Sequence, residues 1–285
     1  MSQENLMSRR TLLFAAAGTA ALAAKPGAGL HVASQTNAFP IHDKASFFEA
    51  LATLKRLGFE GFETSFRNLQ GDFAHPEALR SRLEETGLRF FGIHIFLTQY
   101  DAQTQIAPWD QIKQVVDGGA ALGAERLILS GGSTPDAAAL SRKAGALSRA
   151  GNYCRGKGIG LAYHNHFAEF ENGAAQIEGL LKETDPALFH LIVDAGHVFR
   201  AKGNVAEFFT KHSRRIDGLH LRDAKAGAEV PLGAGDYDWK PLAAAIQATN
   251  WKGWLLTEEE RLGGDKPGEA AIKPAREAIR RIFGA

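Results

Sequence analysis

The feature that most constrains the fold of this chain is a regular alternation of short apolar runs with helical patterns. Eight runs read as buried strands, and each is followed by a segment with apolar residues at helical spacing. The runs are 30–35, 60–63, 88–96, 126–130, 159–163, 189–193, 216–221 and 253–257. The unit recurs about every thirty residues, as expected for a strand followed by a crossover helix. This alternation predicts a parallel sheet.

Eight such units in a chain of 285 residues indicate a single-domain α/β fold, the (β/α)₈ TIM barrel. The helical segments are 46–57, 76–86, 109–122, 137–155, 174–182, 205–212, 241–249 and 269–282. An open doubly wound sheet is the alternative. No Gly-x-Gly-x-x-Gly turn follows a strand, which counts against a dinucleotide-binding version of that sheet. The longest loops on the strand-exit side are expected at 97–107 and 225–239.

The first residues have the pattern of an export signal. Arg9-Arg10 precede an Ala-rich apolar stretch, and Ala21-Leu22-Ala23 offers a small-x-small cleavage site. The stretch is too short for a comfortable membrane span. We therefore expect residues 1–24 to be a twin-arginine signal peptide and residues 25–285 to form the barrel. The mature protein would then be periplasmic or secreted.

Charge and cysteine content narrow the classes of partner. The formal net charge is +1 and no long run of one sign appears, which argues against nucleic acid or an anionic membrane surface. The chain has one cysteine, Cys154, so it has no intrachain disulfide and no thiolate metal cluster.

Polar side chains stand where the predicted strands end, which is where α/β barrels have their active sites. The residues at these ends are Gln35, Glu63, His94, His164, Asp194, His220 and Glu258, with His166, His197 and Arg222 close behind. Four of them, His164, Asp194, His220 and Glu258, close the last four strands in succession. Neighbouring strands are about 5 Å apart, so these four side chains could meet at one ion. Two imidazoles and two carboxylates suit one divalent ion such as Mn, Zn, Co or Fe better than Ca.

Each of these residues also has a simpler structural interpretation. A single histidine on a strand is more often a core residue than a metal ligand. Asp223 could cap a turn or pair with Arg222, and Glu258-Glu259-Glu260 could be a solvated turn. Four such groups at four consecutive strand ends are far less expected by chance. The set, rather than any one member, predicts the site.

Five segments of the chain form a pattern that resembles a known group of proteins. They are 163–170 (YHNHFAEF), 193–197 (VDAGH), 218–223 (GLHLRD), 231–239 (PLGAGDYDW) and 253–258 (GWLLTE). With them the chain resembles the sugar phosphate isomerase/epimerase superfamily, also called xylose isomerase-like barrels, and the first segment is similar to its exported bacterial members. The resemblance covers roughly residues 29–283.

The resemblance implies site roles. The metal ligands that it implies are Asp194, His220 and Glu258, and His197 is implied to contact substrate. At the end of strand five the family usually has a Glu that is both ligand and acid/base partner, and here His164 stands in its place. This departure puts a symmetrical two-carboxylate mechanism in doubt. His164 can still ligate the metal, and His166 or Glu258 would then move protons.

These features predict a metal-dependent sugar isomerase or epimerase. The metal would bind a carbonyl oxygen and the adjacent hydroxyl of a keto-sugar or related polyol, and stabilise the enediolate formed when the α proton leaves. Glu258 is expected to be the base, with His164 or His166 as its counterpart, because an imidazole titrates in the right range. The residues expected to bind substrate are His197, His94, Arg222, Gln35 and Glu63.

Other functions stay open. The same intermediate can be reprotonated on its other face, shift its carbonyl or expel a β leaving group, so a lyase or dehydratase acting on a keto-sugar or inosose is the alternative. An endonuclease IV-type enzyme would need a His two residues after an Asp near position 236, but Asp236 is followed by Tyr237 and Asp238. A non-catalytic sugar-binding protein would not need this set of carboxylates and imidazoles. We expect a small-molecule sugar as partner, no nucleic acid and no stable membrane insertion, and a homo-oligomer is compatible with the sequence.

Overall fold

The central element of the structure is a closed barrel of parallel strands. The computed structural model describes residues 29–259 and 266–285. Its strands are β1 (His31–Gln35), β2 (Gly61–Ser65), β3 (Arg89–Ile95), β4 (Arg126–Ser130), β5 (Gly160–His164), β6 (His190–Asp194), β7 (Ile216–Leu221), β8 (Asp223–Lys225), β9 (Ala228–Val230) and β10 (Trp254–Thr257). The barrel order is β1-β10-β7-β6-β5-β4-β3-β2, and each neighbouring pair is parallel. The predicted (β/α)₈ architecture is confirmed.

Helices follow the strands and cover the outside of the barrel. They are α1 (Lys44–Arg56), α2 (Glu77–Glu85), α3 (Trp109–Ala121), α4 (Ala137–Gly156), α5 (Glu171–Glu183), α6 (Ala195–Arg200), α7 (Val205–His212), α8 (Lys240–Thr249) and α9 (Glu269–Phe283). Their apolar faces and the outward side chains of the strands form one continuous core. Within the described residues, no helix is both long and apolar enough to cross a membrane. The predicted signal peptide, residues 1–24, lies outside the described residues.

Helix α6 and the hairpin formed by β8 and β9 were not predicted from the sequence. Helix α6 begins directly after β6, because the Asp194 side chain accepts a hydrogen bond from the backbone N–H of His197 at 2.8 Å and caps the first turn. Strands β8 and β9 pair as an antiparallel hairpin in the segment after β7 that was expected to be a loop from residue 225 onward. Both elements lie on the strand-exit side of the barrel.

Alternation of side chains along the strands produces the layers inside the barrel. An apolar layer in the interior contains Ala33, Phe91, Ile128, Ala162, Ile192, Trp254 and Leu256. Successive strand residues point to opposite faces, so a residue two positions further along also points inward. Two positions after Ile128, Ala162, Ile192 and Leu256 stand Ser130, His164, Asp194 and Glu258. The strands therefore carry a polar layer at their C-terminal ends, next to the apolar layer of the interior.

Candidate metal centre

Four side chains from successive strand ends converge inside the barrel mouth. They are His164 at the end of β5, Asp194 at the end of β6, His220 in β7 and Glu258 just after β10. One ligand atom from each lies within 4.8 Å of the others, and all four side chains are buried. The parallel register explains the arrangement, since Asp194 is paired with His220 and the N–H of Glu258 donates to the carbonyl of Leu221. The structure brings together the four residues that the sequence predicted as ligands.

The Oε2 atom of Glu258 is the common neighbour in this cluster. It lies 2.6 Å from Nδ1 of His220 and 3.4 Å from Nε2 of His164. The same Nε2 of His164 lies 3.6 Å from Oδ2 of Asp194. Two imidazole nitrogens and two carboxylate oxygens thus face one another, which is a donor set that suits a divalent first-row transition metal.

The two oxygens of Asp194 have different surroundings. Oδ1 accepts the N–H of His197 as the cap of α6. Oδ2 is buried and accepts no hydrogen bond from the residues that the structure describes, although Nε of Arg222 lies 3.0 Å away and Nε2 of His197 3.7 Å away. Arg222 balances the charge of this oxygen, but its lone pairs accept no hydrogen bond from the described residues. An oxygen of this kind, facing imidazole nitrogens, fits a bound cation.

The charges of the cluster keep its carboxylates ionised. Burial raises the pKa of Asp194, but the nearby His197 and Arg222 outweigh this effect and lower that pKa. Burial also raises the pKa of Glu258, but Arg222 and His220 lower it well below its ordinary value. Burial lowers the pKa of His220, yet the charges of Glu63 and Glu258 raise it to about 10. Without a metal, the carboxylates are therefore compensated by cationic side chains.

Arg222 connects the cluster to an adjacent cavity. Its Nη2 lies 2.7 Å from Oε1 of Glu258, and its Nη1 lies 3.3 Å from Oε1 of Glu229. The cavity has a volume of about 230 Å³, and Gly196, His197, Arg200, Arg222, Glu229 and Tyr237 are among its lining residues. Two residues that the sequence predicted to bind substrate, His197 and Arg222, thus border both the cluster and a space for a small molecule.

The imidazole rings of His166 and His197 lie beside that of His164 at the edge of the cluster. The ring of His166 is centred 5.3 Å from that of His164 and 5.2 Å from that of His197. Burial is the main cause that lowers the pKa of His166 to about 3, with the neighbouring imidazoles acting in the same direction. The ring of Phe96, which is 48% exposed, is centred 5.8 Å from that of His166. His166 is therefore a neutral imidazole next to the cluster, beside an exposed apolar ring.

Glu63 and His94 are buried in the barrel interior. Oε2 of Glu63 lies 2.7 Å from Nε2 of His220, and Oε1 lies 2.8 Å from Nδ1 of His94. Burial raises the pKa of Glu63, but the attraction of His220 and the hydrogen bonds from both imidazoles lower it to about 2. The observed contacts of these residues are with the candidate ligands and their neighbours. Their predicted contact with substrate stays a prediction.

Gln35 at the end of β1 has a local role in the structure. Its side-chain oxygen accepts the N–H of Asn37 at 2.7 Å and caps the turn after the strand. The predicted contact of Gln35 with substrate also stays a prediction.

A buried ion pair supports the loops that carry His166. Nζ of Lys143 lies 2.7 Å from Oε1 of Glu169, and neither side chain is more than 1% exposed. Tyr163 donates its hydroxyl to the same Oε1 at 2.6 Å, while the Oε2 atom accepts the N–H of His166 at 2.9 Å. Lys143 also donates to the carbonyl of Gly132 at 2.7 Å. The pair therefore fixes the loop after β5 to the loop after β4.

Asp223 organises the loop after β7. Its Oδ2 atom accepts hydrogen bonds from the backbone N–H groups of Gly233 and Gly235 and from the indole N–H of Trp239, at 2.9, 3.2 and 3.1 Å. A side chain at Gly235 would collide with this carboxylate, because a Cβ there would lie 2.0 Å from Oδ1 of Asp223. The motif segments 218–223 and 231–239 are thus held together beside the cluster.

Sequence reasoning missed several supporting residues. Ser130 stands at an inward position of β4 and could have been found from the alternation alone. Asn165, which accepts the N–H of Asp194 at 2.9 Å, follows His164 directly but gave no chemical signal. The interpretation of 258–260 as a solvated turn is wrong for its first two residues, since Glu258 and Glu259 are buried. Glu259 instead accepts the N–H of Leu232 at 3.1 Å.

Comparison with known proteins gives a family-level match. A family model described as xylose isomerase-like TIM barrel matches residues 51–282. Among curated proteins, an inosose dehydratase from Geobacillus thermodenitrificans is 30% identical over 158 residues, which are 48% of this chain and 53% of that protein. The chain thus spans about half the length of the curated relatives it matches.

Solved structures share the fold at low sequence identity. A sugar phosphate isomerase/epimerase from Parabacteroides distasonis superimposes with a TM-score of 0.71 at 16% identity, covering 92% of this chain and 98% of that chain. A 3-keto-D-glucoside 4-epimerase from E. coli gives a TM-score of 0.67 at 16% identity, covering 90% and 100% of the two chains. At these identities the likeness concerns the fold alone.

Proposed function

Because this chain belongs to the family of xylose isomerase-like TIM barrels, we propose that it is a divalent-metal-dependent isomerase or epimerase acting on a keto-sugar or related polyol. The observation that carries the proposal is the buried convergence of His164, Asp194, His220 and Glu258. These four residues would hold the ion. When bound, it would supply a Lewis acid that polarises the carbonyl and the adjacent hydroxyl of the sugar.

Glu258 is the proposed base. Its Oε2 atom faces the two candidate histidine ligands, whereas Oε1 lies 2.7 Å from Nη2 of Arg222, a residue that lines the cavity. The two oxygens thus have separate surroundings, so one can hold the ion while the other takes a proton α to the carbonyl. Arg222 holds this oxygen in place, although its charge also reduces the basicity of Glu258.

His166 is the better counterpart of Glu258 than His164. The Nε2 atom of His164 faces the carboxylates, and its Nδ1 atom faces Ser130, so both nitrogens are engaged inside the barrel. His166 is neutral and lies at the border of the cluster, where it would exchange a proton on another face of the sugar, although its lowered pKa reduces its basicity. His197 and Arg222 would orient the substrate from the cavity.

A lyase or dehydratase is the second candidate. The curated relatives that match about half of this chain are inosose dehydratases. Loss of a proton next to a carbonyl followed by departure of a β hydroxyl uses the same base and the same polarised carbonyl. The imidazole of His164, in place of the glutamate usual at that position, favours neither outcome by itself.

Solvent deuterium incorporation tests the proposed chemistry. A panel of ketoses and inososes is incubated with the metal-loaded enzyme in deuterated water, and products are analysed by NMR and mass spectrometry. The native enzyme should place deuterium at carbon next to the carbonyl of a true substrate. Glu258→Gln should slow this incorporation by several orders of magnitude, whereas Glu259→Gln, which changes the neighbouring buried carboxylate, should not.

The outcomes separate the alternatives. A dehydrated product identifies a lyase, and a stereoisomer or positional isomer identifies an epimerase or isomerase. If a substrate turns over without solvent deuterium, proton abstraction with solvent exchange is not the mechanism. If incorporation survives in Glu258→Gln but is lost in His166→Ala, the base is His166.

The cellular location of the protein is proposed from the N-terminal sequence alone. Arg9-Arg10 and the apolar stretch that follows support export through the twin-arginine route to the periplasm or beyond. This route exports proteins that are already folded, so the metal could be loaded before export.

A further inference from the structure

Glu63 joins the two candidate histidine ligands through two separate hydrogen-bonded branches. It is completely buried, and its two oxygens face two different imidazoles. Along the first branch, Oε2 lies 2.7 Å from Nε2 of His220. The other nitrogen of His220, Nδ1, faces Glu258 in the cluster. Glu63 thus contacts His220 on the side opposite to the proposed ion.

The second branch reaches His164 through two intermediate residues. Oε1 of Glu63 lies 2.8 Å from Nδ1 of His94, and Nε2 of His94 lies 2.7 Å from Oγ of Ser130. The same Oγ lies 3.4 Å from Nδ1 of His164, whose Nε2 faces the carboxylates. The branch therefore ends at the nitrogen of His164 that is not directed at the proposed ion.

Only one arrangement of protons satisfies both branches when Glu63 is ionised and His94 is neutral. A carboxylate accepts hydrogen bonds and donates none, so Nε2 of His220 and Nδ1 of His94 must each carry a proton. A neutral His94 that carries its proton on Nδ1 has none on Nε2. This Nε2 therefore accepts from the hydroxyl of Ser130. The oxygen of Ser130 is then free to accept from Nδ1–H of His164.

We propose that Glu63 is a positioning residue that sets the tautomers of both histidine ligands, directly for His220 and through His94 and Ser130 for His164. This inference rests on the proposed metal site. With these tautomers, Nε2 of His164 is left with a lone pair toward the cluster, and His220 retains its Nε2 proton when the Nδ1 proton is displaced by a cation. Partners of this kind orient ligating imidazoles and raise their basicity.

Substitution of Glu63 by Gln should change the tautomer of one histidine ligand. The amide keeps the shape but has one acceptor oxygen and one donor NH₂ group. If the NH₂ group faces His220, that ring must carry its proton on Nδ1, toward the ion. If it faces His94, the protons along the Ser130 branch reverse and His164 carries its proton on Nε2, again toward the ion. In either orientation, one of the two ligands is lost or a buried hydrogen bond is broken.

Metal affinity measured by competition with a chromophoric chelator tests the inference, with Zn²⁺ and Co²⁺ as probes. Glu63→Gln should weaken binding by about 10- to 100-fold. Ser130→Ala interrupts only the branch to His164 and should weaken binding less. Asp217→Asn is the matched control: it alters a carboxylate that contacts His190 and Arg126 at the N-terminal end of the barrel, and should leave affinity unchanged. Thermal unfolding confirms that each variant is folded.

Imidazole ¹⁵N NMR of the Zn²⁺-loaded protein provides a readout that loss of stability alone would not change. His220 should be bound through Nδ1 with a proton on Nε2, and His164 through Nε2 with a proton on Nδ1. In Ser130→Ala, the His164 signals should change while those of His220 stay in place. Binding through the opposite nitrogens, or equal affinity in wild type and Glu63→Gln, overturns the role of Glu63 and leaves the metal site intact. A wild-type chain that binds neither ion overturns the proposed function, and this inference with it.

Discussion

Nε2 of His164 lies 3.4 Å from Oε2 of Glu258, although the two residues are 94 positions apart in the chain. The contact joins the end of β5 to the end of β10 across the barrel mouth. Its significance is that an imidazole occupies the position at which the family pattern has a carboxylate. The donor set is therefore less negative than one with three carboxylates and a single histidine.

This difference predicts the metal preference of the site. His164→Glu should increase the affinity for Mn²⁺ relative to Zn²⁺, because carboxylate oxygen suits the harder ion and imidazole suits zinc. The ratio of the two affinities is measured by competition between the metals in wild type and variant. An unchanged ratio would show that His164 does not contribute a ligand atom.

The buried ion pair of Lys143 and Glu169 predicts a large effect on stability. Lys143→Met should reduce the free energy of unfolding by about 3–5 kcal/mol, because it leaves a carboxylate buried without its cation. Urea unfolding followed by circular dichroism gives the value. Lys113→Met, which removes a surface lysine paired with exposed Asp110, should produce no measurable change. A small effect of Lys143→Met would mean that Tyr163 and the backbone alone hold Glu169.

The pair of His190 and Asp217 predicts a pH dependence of stability. The hydrogen bond that His190 donates to Asp217 raises the pKa of His190 above 6.5. Burial raises the pKa of Asp217, but the hydrogen bond from His190 and the charge of Arg126 outweigh it and lower the pKa below 3.8. Because the pKa of His190 is higher in the folded than in the unfolded protein, its contribution to stability is complete below pH 6.5. This contribution is lost as the pH rises through the folded-state pKa of His190. The contribution of Asp217 to stability is complete above pH 3.8 and is lost as the pH falls through its folded-state pKa.

Asp217→Asn should therefore destabilise the protein most between these two limits, by about 1–3 kcal/mol. The difference from wild type should shrink as the pH rises above the folded-state pKa of His190. Denaturant unfolding at a series of pH values measures it. A difference independent of pH would contradict the assigned charge states.

The export proposal predicts the behaviour of a leader variant. Replacing both Arg9 and Arg10 by Lys should keep the protein in the cytoplasm with its leader uncleaved. Cell fractionation with N-terminal sequencing or intact-mass measurement distinguishes processed from unprocessed chains. Normal processing and export of the variant would count decisively against the twin-arginine route.

Much of the fold could be predicted because the apolar runs are themselves the strands. The strands at 126–130 and 216–221 coincide with the predicted runs. Helix α6 was missed because it is only six residues long and follows its strand without a loop, so no helical periodicity can be detected. The β8–β9 hairpin was missed because three-residue strands carry no clear alternation.

The candidate ligands could be predicted because the position of a residue along a strand fixes how deep its side chain lies in the barrel and where it points. The contacts that support these ligands could not be predicted. Lys143 and Glu169 are 26 residues apart, and Glu63 and His220 are 157 residues apart, so only the closed barrel brings each pair together. Glu258 and Glu259 are likewise buried, and Glu259 contacts Leu232, which is 27 residues away. A charged residue in such a segment resembles a surface residue until its partners are known.

The metal content of the purified protein tests the central claim most directly. Elemental analysis of wild type should find about one divalent ion per chain, held by the four ligands. Asp194→Ala should lose nearly all of it, because it removes the oxygen that faces His164 and also the cap of α6. Asp217→Asn, a carboxylate variant at the other end of the barrel, should retain the full amount. Full occupancy in a folded Asp194→Ala variant would contradict the site.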